Sequence, residues 1–313
     1  MADEPHPHAQ NLLNIIDSQP IPPVYALSVA DAREQFENVA TLRDAPDVAD
    51  VRNFEIQGPE GPLPVRTYYP EGEGPHPTLV YFHGGGFVLG NIETHDALCR
   101  ELANAGECAV LSVDYRLAPE HSFPAPVYDA YAAVEWIAEN GAHVDLDSDR
   151  IAVGGDSAGG NLTAATTLMG QDRDGPDIQH QLLLYPALAS PAVHDFDSYE
   201  ENAEGYFLET PGMEWFLDCY VDDDLHLRNE YFSPLLANDL SDTPPASVVT
   251  AGFDPLRDEG QAYAERLAED DVPVDHYHYE DMIHGFVSMS DMIDAGADAV
   301  EKIGADLQDA FAE

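Results

Sequence analysis

The sequence predicts an α/β protein: a mainly parallel, eight-stranded sheet with helices on both faces and a helical cap. Three observations carry that prediction. From residue 50 onward, short apolar, β-branched runs alternate with longer helical segments. A serine stands between glycines directly after one such run, in Gly154-Gly-Asp-Ser-Ala-Gly-Gly-Asn161. Other polar residues with chemistry to offer follow other runs, at the carboxyl ends of strands, where open α/β sheets bind their ligands.

Taken in order, residues 1–45 hold one helical pattern through Leu12, Leu13, Ile15 and Ile16 and another over 29–42. Two alternating stretches, 51–57 and 63–69, are joined by the turn-like Gly58-Pro-Glu-Gly-Pro62 and read as an antiparallel hairpin at the sheet edge. Strands follow at 78–82, 109–113, 151–153, 181–185, 247–251 and 274–278. Amphipathic segments near 95–105, 126–140, 159–170, 258–270 and 295–311 read as the helices between and after them. Strand then helix, repeated, returns the chain each time to the same end of the sheet and so makes the pairing parallel. The interval 188–235 breaks this rhythm: it is long, acid-rich and carries Tyr206, Phe207, Trp215 and Phe216. Interruptions of that length are usually functional. Residues 1–45 and 188–235 are therefore expected to pack together as a cap over the C-terminal edge of the sheet, with 46–313 forming the catalytic domain into which 188–235 is inserted.

Composition narrows the setting. The 313 residues include 12 basic and 60 acidic side chains, a formal charge of −48, and Lys302 is the single lysine. The acids are spread along the whole chain rather than gathered in a tail, and 44% of residues are hydrophobic, so the charge belongs to a folded surface. Such a surface repels itself until salt is dense, because the Debye length shrinks from about 10 Å at 0.1 M to about 3 Å at 1 M. The expectation is adaptation to a cytoplasm of multimolar salt. Nucleic acid and anionic membranes are disfavoured as partners, since their phosphates would be repelled. Cys99, Cys108 and Cys219 cannot all pair and lack metal-ligand spacing, which suggests buried thiols in a reducing compartment. The opening MADEPHPHAQ has neither a basic nor an apolar leader region, and no run approaches a membrane span. The segment near 295–311 is free to dock on its own sheet or on a second copy, so a homo-oligomer stays open.

The motif Gly155-Asp-Ser157-Ala-Gly159, placed after a strand and before a helical run, has the context of a nucleophile elbow. The strand-to-helix corner is tight, and the positions two before and two after the serine must be small. No Gly-Lys-Ser/Thr follows, which argues against a phosphate loop. A serine needs a base, and the base an orienting carboxylate. Asp254 follows the strand at 247–251 and His284 the strand at 274–278, giving the chain order Ser157, Asp254, His284. Asp258 is the rival carboxylate but reads as the opening of a helix, where it complements the dipole. His276 and His278 alternate in a strand as packing or surface groups; with His6 and His8 they lack a further ligand nearby, and no metal is expected. After the strand at 78–82, His83-Gly84-Gly85-Gly86-Phe87 lets backbone N–H groups turn toward an oxygen, so Gly85, Gly86 and Ala158 are the expected oxyanion donors.

These motifs together resemble those of the hormone-sensitive-lipase-like family of α/β-hydrolases. The likeness extends to Asp114-Tyr-Arg-Leu-Ala-Pro-Glu-His121 followed by Phe123-Pro124, to Asp254-Pro-Leu-Arg-Asp-Glu-Gly260 and to His284-Gly-Phe286, and spans residues 50–313. The resemblance implies an α/β-hydrolase fold and a serine carboxylesterase acting on short acyl chains through an acyl-enzyme. It implies no cofactor, an N-terminal and an inserted cap, and supporting roles for His83, Gly84 and Asp156. The partner implied is a small-molecule ester. An acyltransferase, lactonase or amidase would use the same triad, and a non-catalytic binding protein the same scaffold. The cap segments are too variable for acyl-chain preference to carry over.

Overall fold

In the computed structural model, which describes residues 2–19, 21–41 and 43–312, the alternating runs assemble one eight-stranded sheet in the order β1-β2-β4-β3-β5-β6-β7-β8. The chain passes through α1 (Pro7–Ser18), α2 (Val29–Ala40), β1 (Asp50–Gly58), β2 (Gly61–Tyr69), β3 (His76–Phe82), α3 (Asp96–Ala105), β4 (Ala109–Val113), α4 (Ala125–Asn140), β5 (Leu146–Asp156) and α5 (Ala158–Arg173). It continues through β6 (His180–Leu184), α6 (Ser198–Glu201), α7 (Thr210–Tyr220), β7 (Ala246–Phe253), α8 (Arg257–Glu269), β8 (Val274–Ile283) and α9 (Asp294–Ala312). β1 and β2 form the expected antiparallel hairpin, β2 runs antiparallel to β4, and every other neighbouring pair is parallel. The C-terminal ends of β3, β5, β7 and β8 therefore open on one edge.

Alternate residues of each strand point to opposite faces. Val80, Phe82, Leu111, Val113 and Val153 bury against α4 and α5 on one face. Leu79, Tyr81, Val110, Leu182 and Leu184 bury against α3 and α9 on the other. α8 completes the first face, with Tyr263 and Leu267 against Leu183 and Val248. Each fully buried Leu or Phe contributes roughly 1.5–3 kcal/mol relative to exposure.

β5, α5 and the cysteines differ from expectation, and β8 runs on to Ile283 rather than ending at 278. β5 runs to Asp156 rather than ending at 153, because Gly154 and Gly155 pair with Tyr81 and Phe82 on one side and Leu182 and Leu183 on the other; glycine weakens a strand pattern but not its ladder. α5 is not amphipathic: residues 158–170 are all buried, since the helix lies between the sheet, α4 and the chain around Pro234–Leu236. Cys99 and Cys108 are buried, but Cys219 is only half-buried, and all three are free. Leu42, the expected end of the second helix, lies outside the described residues. Among the described residues no helix is long and apolar enough to cross a membrane.

The N-terminal elements sit at the same edge as the strand ends. α1 buries Ala9 and Leu12 in the cluster that holds Phe253, Met282 and Phe286, and the His6 N–H donates to the Asp281 carbonyl at 2.8 Å. α2 begins at an N-cap, Ser28, whose Oγ accepts from the Asp31 N–H. Its Arg33 donates to the carbonyls of Val88 and Ala118, both at 2.8 Å, and pairs with Glu120. The turn Val24–Ala26 packs on α7.

Candidate active site

The corner between β5 and α5 is built by exclusion. Ser157 sits at φ 56° and ψ −115°, a strained conformation that costs of order 1–3 kcal/mol and persists only where the surroundings impose it. A Cβ at Gly159 would lie 1.8 Å from the Phe82 carbonyl oxygen, and one at Gly155 2.4 Å from the same atom. Only glycine permits that approach. The Ser157 N–H donates to the Leu184 carbonyl at 2.8 Å and the Ser157 carbonyl accepts from Ala187, pinning the corner to the end of β6. Ala158 opens the helix, so its N–H is among the unpaired donors of a helix N-terminus.

Both partners expected from the sequence arrive at this corner. Asp254 directly follows β7 and is fully buried; its Oδ1 accepts from the Leu256 N–H at 2.9 Å and its Oδ2 lies 2.8 Å from His284 Nδ1. A carboxylate is an acceptor only, so Nδ1 carries the proton and donates. His284 Nε2 then faces Ser157 Oγ at 3.0 Å as an acceptor. The Tyr185 ring meets the imidazole edge-on at 4.8 Å between centroids, and Asn202 Nδ2 donates to the Asp254 carbonyl at 3.0 Å.

The glycine loop after β3 forms the facing wall. Val88 and Leu89 donate to the Gly85 carbonyl and turn the chain back. The Gly84 N–H is drawn to Asp156 Oδ1 at 2.9 Å, while Gly86 lines the same cleft as Ser157 and Ala158. His83 stacks on Tyr115 at 4.3 Å, and burial together with nearby His95 lowers its pKa to about 3, so the ring is neutral. A Cβ at Gly86 would lie 2.3 Å from the Phe216 ring, so α7 rests directly on this loop. Between them lies a narrow cleft of about 80 Å³ that reaches Ser157 and is lined by Phe87, Leu208, Met213, Phe216 and Phe232.

A protein-family model described as an alpha/beta hydrolase fold matches residues 79–288. Esterase LipI of Mycobacterium tuberculosis is 39% identical over 93% of this chain and 91% of its own length. The chain belongs to the hormone-sensitive-lipase-like α/β-hydrolases. An arylesterase of Saccharolobus solfataricus is 40% identical over 84% of this hydrolase and 85% of its own chain. Among solved structures, an α/β hydrolase enzyme from the metagenome of Lake Arreo superposes with a TM-score of 0.96 at 41% identity over all of both chains. A hyperthermophilic esterase from Pyrobaculum calidifontis gives 0.93 at 40% identity over 98% of each.

The contacts of several further residues of this hydrolase were not legible in sequence. Asn161 donates through Nδ2 to the carbonyls of Ala187 and Phe232, both at 2.8 Å, tying α5 to the chain just before the 188–235 insertion and to a point within it. Asp258, the rival carboxylate, pairs with Arg257 and accepts from the Ser198 N–H near the start of α8. His276 and His278 share the Thr250 hydroxyl at 2.8 and 2.9 Å on the outer strand. Among the described residues no three His, Cys, Asp or Glu side chains gather as a metal would need.

Glu259 is buried on α8, where one oxygen accepts from the Leu188 N–H at 2.8 Å and the other takes the Tyr199 hydroxyl. Burial pushes its pKa up to about 8, against the opposing hydrogen bonds. The folded state thus holds a proton that the unfolded chain releases near pH 4.3. The stability this group contributes is complete below that value and is lost as pH rises toward about 8, by up to about 1.4 kcal/mol per pH unit. Glu259→Gln, neutral throughout, lacks this slope. Denaturant titrations from pH 5 to 8 at fixed high salt are expected to show the wild type weakening relative to the variant; parallel curves would contradict the buried proton.

Proposed function

We propose that the protein is a serine carboxylesterase that hydrolyses short-chain acyl esters through an acyl-enzyme intermediate and is adapted to concentrated salt. The observation that carries this reading is the line Ser157 Oγ, His284 Nε2, His284 Nδ1, Asp254 Oδ2, with contacts of 3.0 and 2.8 Å, at the end of an apolar cleft. Ser157 Oγ attacks the ester carbonyl carbon as His284 Nε2 takes its proton, and Asp254 holds and stabilises the imidazolium. The Gly85, Gly86 and Ala158 N–H groups receive the oxyanion; losing one such donor costs roughly 10²–10³ in rate. The alcohol departs with the proton from His284. Water then attacks the acyl carbon, giving a proton to His284, and Ser157 leaves with it as the acid is released. No step calls for a cofactor.

Residues 1–45 and 188–235 act as the cap: α2 and α7 lie over the loop after β3, and Phe216 narrows the cleft. Its 80 Å³ compares with about 10–15 Å³ for one water, room for an acyl chain of a few carbons. Each methylene a pocket accepts or rejects is worth about 1–3 kcal/mol. In multimolar salt, p-nitrophenyl acetate and butyrate are expected to exceed the decanoate by at least about tenfold in kcat/KM, with a lactone and an amide slower. Failure to cleave any ester would remove the reading, and preference for the amide or lactone would redirect it.

Salt adaptation is supported by the fate of the cations. Among the described residues ten of the twelve basic side chains sit in ion pairs, and against 60 acidic side chains they leave the protein with a large excess of negative charge. Dialysis into low salt is expected to abolish the far-UV circular dichroism signal; a retained signal would argue against this adaptation. The three free thiols favour a reducing, cytoplasmic setting.

A further inference from the structure

We propose that His95 is a positioning residue for ester hydrolysis: through Asp156 it clamps the Gly84 peptide, and with it the oxyanion loop, against the nucleophile corner. This rests on the carboxylesterase reading and adds to it a residue outside the triad and its donors.

Three consecutive glycines make a loop with little conformational preference of its own. Something must hold it. Asp156, the residue before Ser157, is buried at the end of β5, and its Oδ1 accepts from the Gly84 N–H at 2.9 Å and the Tyr81 hydroxyl at 2.7 Å. Its Oδ2 lies 3.3 Å from His95 Nε2. The fit leaves no slack, since a Cβ at Gly84 would lie 2.4 Å from Asp156 Oδ2. One carboxylate thus joins the loop after β3 to the corner that carries the serine, and its second oxygen is held from the start of α3.

The protons fix the orientation of the ring. Thr94 Oγ1 lies 2.8 Å from the Asn91 carbonyl oxygen and 2.9 Å from His95 Nδ1, and its one hydrogen has both within reach. A carboxylate only accepts, so the contact with Asp156 Oδ2 takes the ring's proton on Nε2, and the Thr94 hydroxyl then donates to His95 Nδ1. The turn from Asn91 to Thr94 is itself closed by the Thr94 N–H on Asn91 Oδ1 and the Asn91 N–H on Thr94 Oγ1, each at 3.0 Å. The ring is held on its outer side, and its Nε2 lies 3.3 Å from both Asp156 oxygens and from the Gly84 nitrogen, at the point where the loop meets the corner. Burial alone would raise the Asp156 pKa, yet His95 and the Tyr81 hydroxyl hold it below the usual carboxylate range. His83, the neighbouring ring at 5.5 Å, is neutral and turns its Nδ1 to the Gly84 carbonyl, so it cannot replace His95.

A displacement of about 1 Å at a reacting centre costs about 10²-fold, so the clamp is read in kcat. The test compares two amides. In His95→Gln the side-chain nitrogen reaches the place of Nε2 and keeps a donor for Asp156; in His95→Asn it reaches only the place of Nδ1 and keeps the Thr94 contact. With p-nitrophenyl acetate at high salt, His95→Gln is expected to retain kcat within about threefold, while His95→Asn loses about 10- to 100-fold with KM nearly unchanged. Equal losses in the two variants, a loss confined to KM, or full kcat in His95→Asn would overturn the proposal. Thr94→Val, at a half-exposed position, frees the ring without emptying the core and keeps the question open to experiment if the His95 variants do not fold: a several-fold fall in kcat at constant KM is expected, and an unchanged kcat overturns it. Wild-type protein inert toward every ester would remove the carboxylesterase reading and this proposal with it, whereas an active wild type matched by His95→Asn removes this proposal alone.

Discussion

Ser157→Ala is expected to lower kcat for a short acyl ester by about 10⁶-fold while leaving the fold intact. The hydroxyl is partly exposed at the cleft, so its removal opens little new cavity, and the strained backbone is set by the glycines and by Leu184 and Ala187 rather than by the side chain. His284→Ala should cost nearly as much, and the double variant no more than either alone, because the two groups perform one proton transfer. Initial rates at high salt beside a circular dichroism spectrum decide it. Near-native turnover in Ser157→Ala would mean that another group attacks the ester.

Asp254→Asn comes next, with an expected loss of about 10⁴-fold in kcat. Asn presents an N–H where His284 Nδ1 now finds a carboxylate oxygen, and the imidazole answers by moving its proton to Nε2. Pointed at Ser157, that nitrogen no longer accepts. Oδ1 can still receive the Leu256 N–H, so the loop after β7 keeps its shape and KM changes little. Equal activity in Asp254→Asn and wild type would show that the carboxylate does not set the tautomer.

The sheet was legible because β-branched runs and helical periods alternate cleanly, and the site because each of its groups follows a strand. Ser157 could be read from its glycines alone, since the corner excludes anything larger at 155 and 159. What escaped prediction depends on proximity rather than pattern. Gly154 and Gly155 look like a strand's end and are its continuation. α5 shows no apolar stripe because both its faces are interior, so its extent rested on position after the serine rather than on period. Asp156 reads as one letter of a motif, and nothing in the sequence ties it to His95, sixty-one residues earlier. Glu259 looks like an ordinary acid in the first turn of a helix; only the packing of Leu188 and Tyr199 over it reveals a buried carboxyl.

The placement of His284 at the end of β8 bears on biosynthesis. The Ser157 corner is pinned to the end of β6, whereas the proposed base follows β8, 127 residues after the serine, and α1 also rests there, on Asp281 and Phe286. On the carboxylesterase reading, a chain that stops before residue 284 lacks the base proposed for Ser157. Such a truncated translation product is expected to be inert toward esters instead of being a loose, unselective esterase.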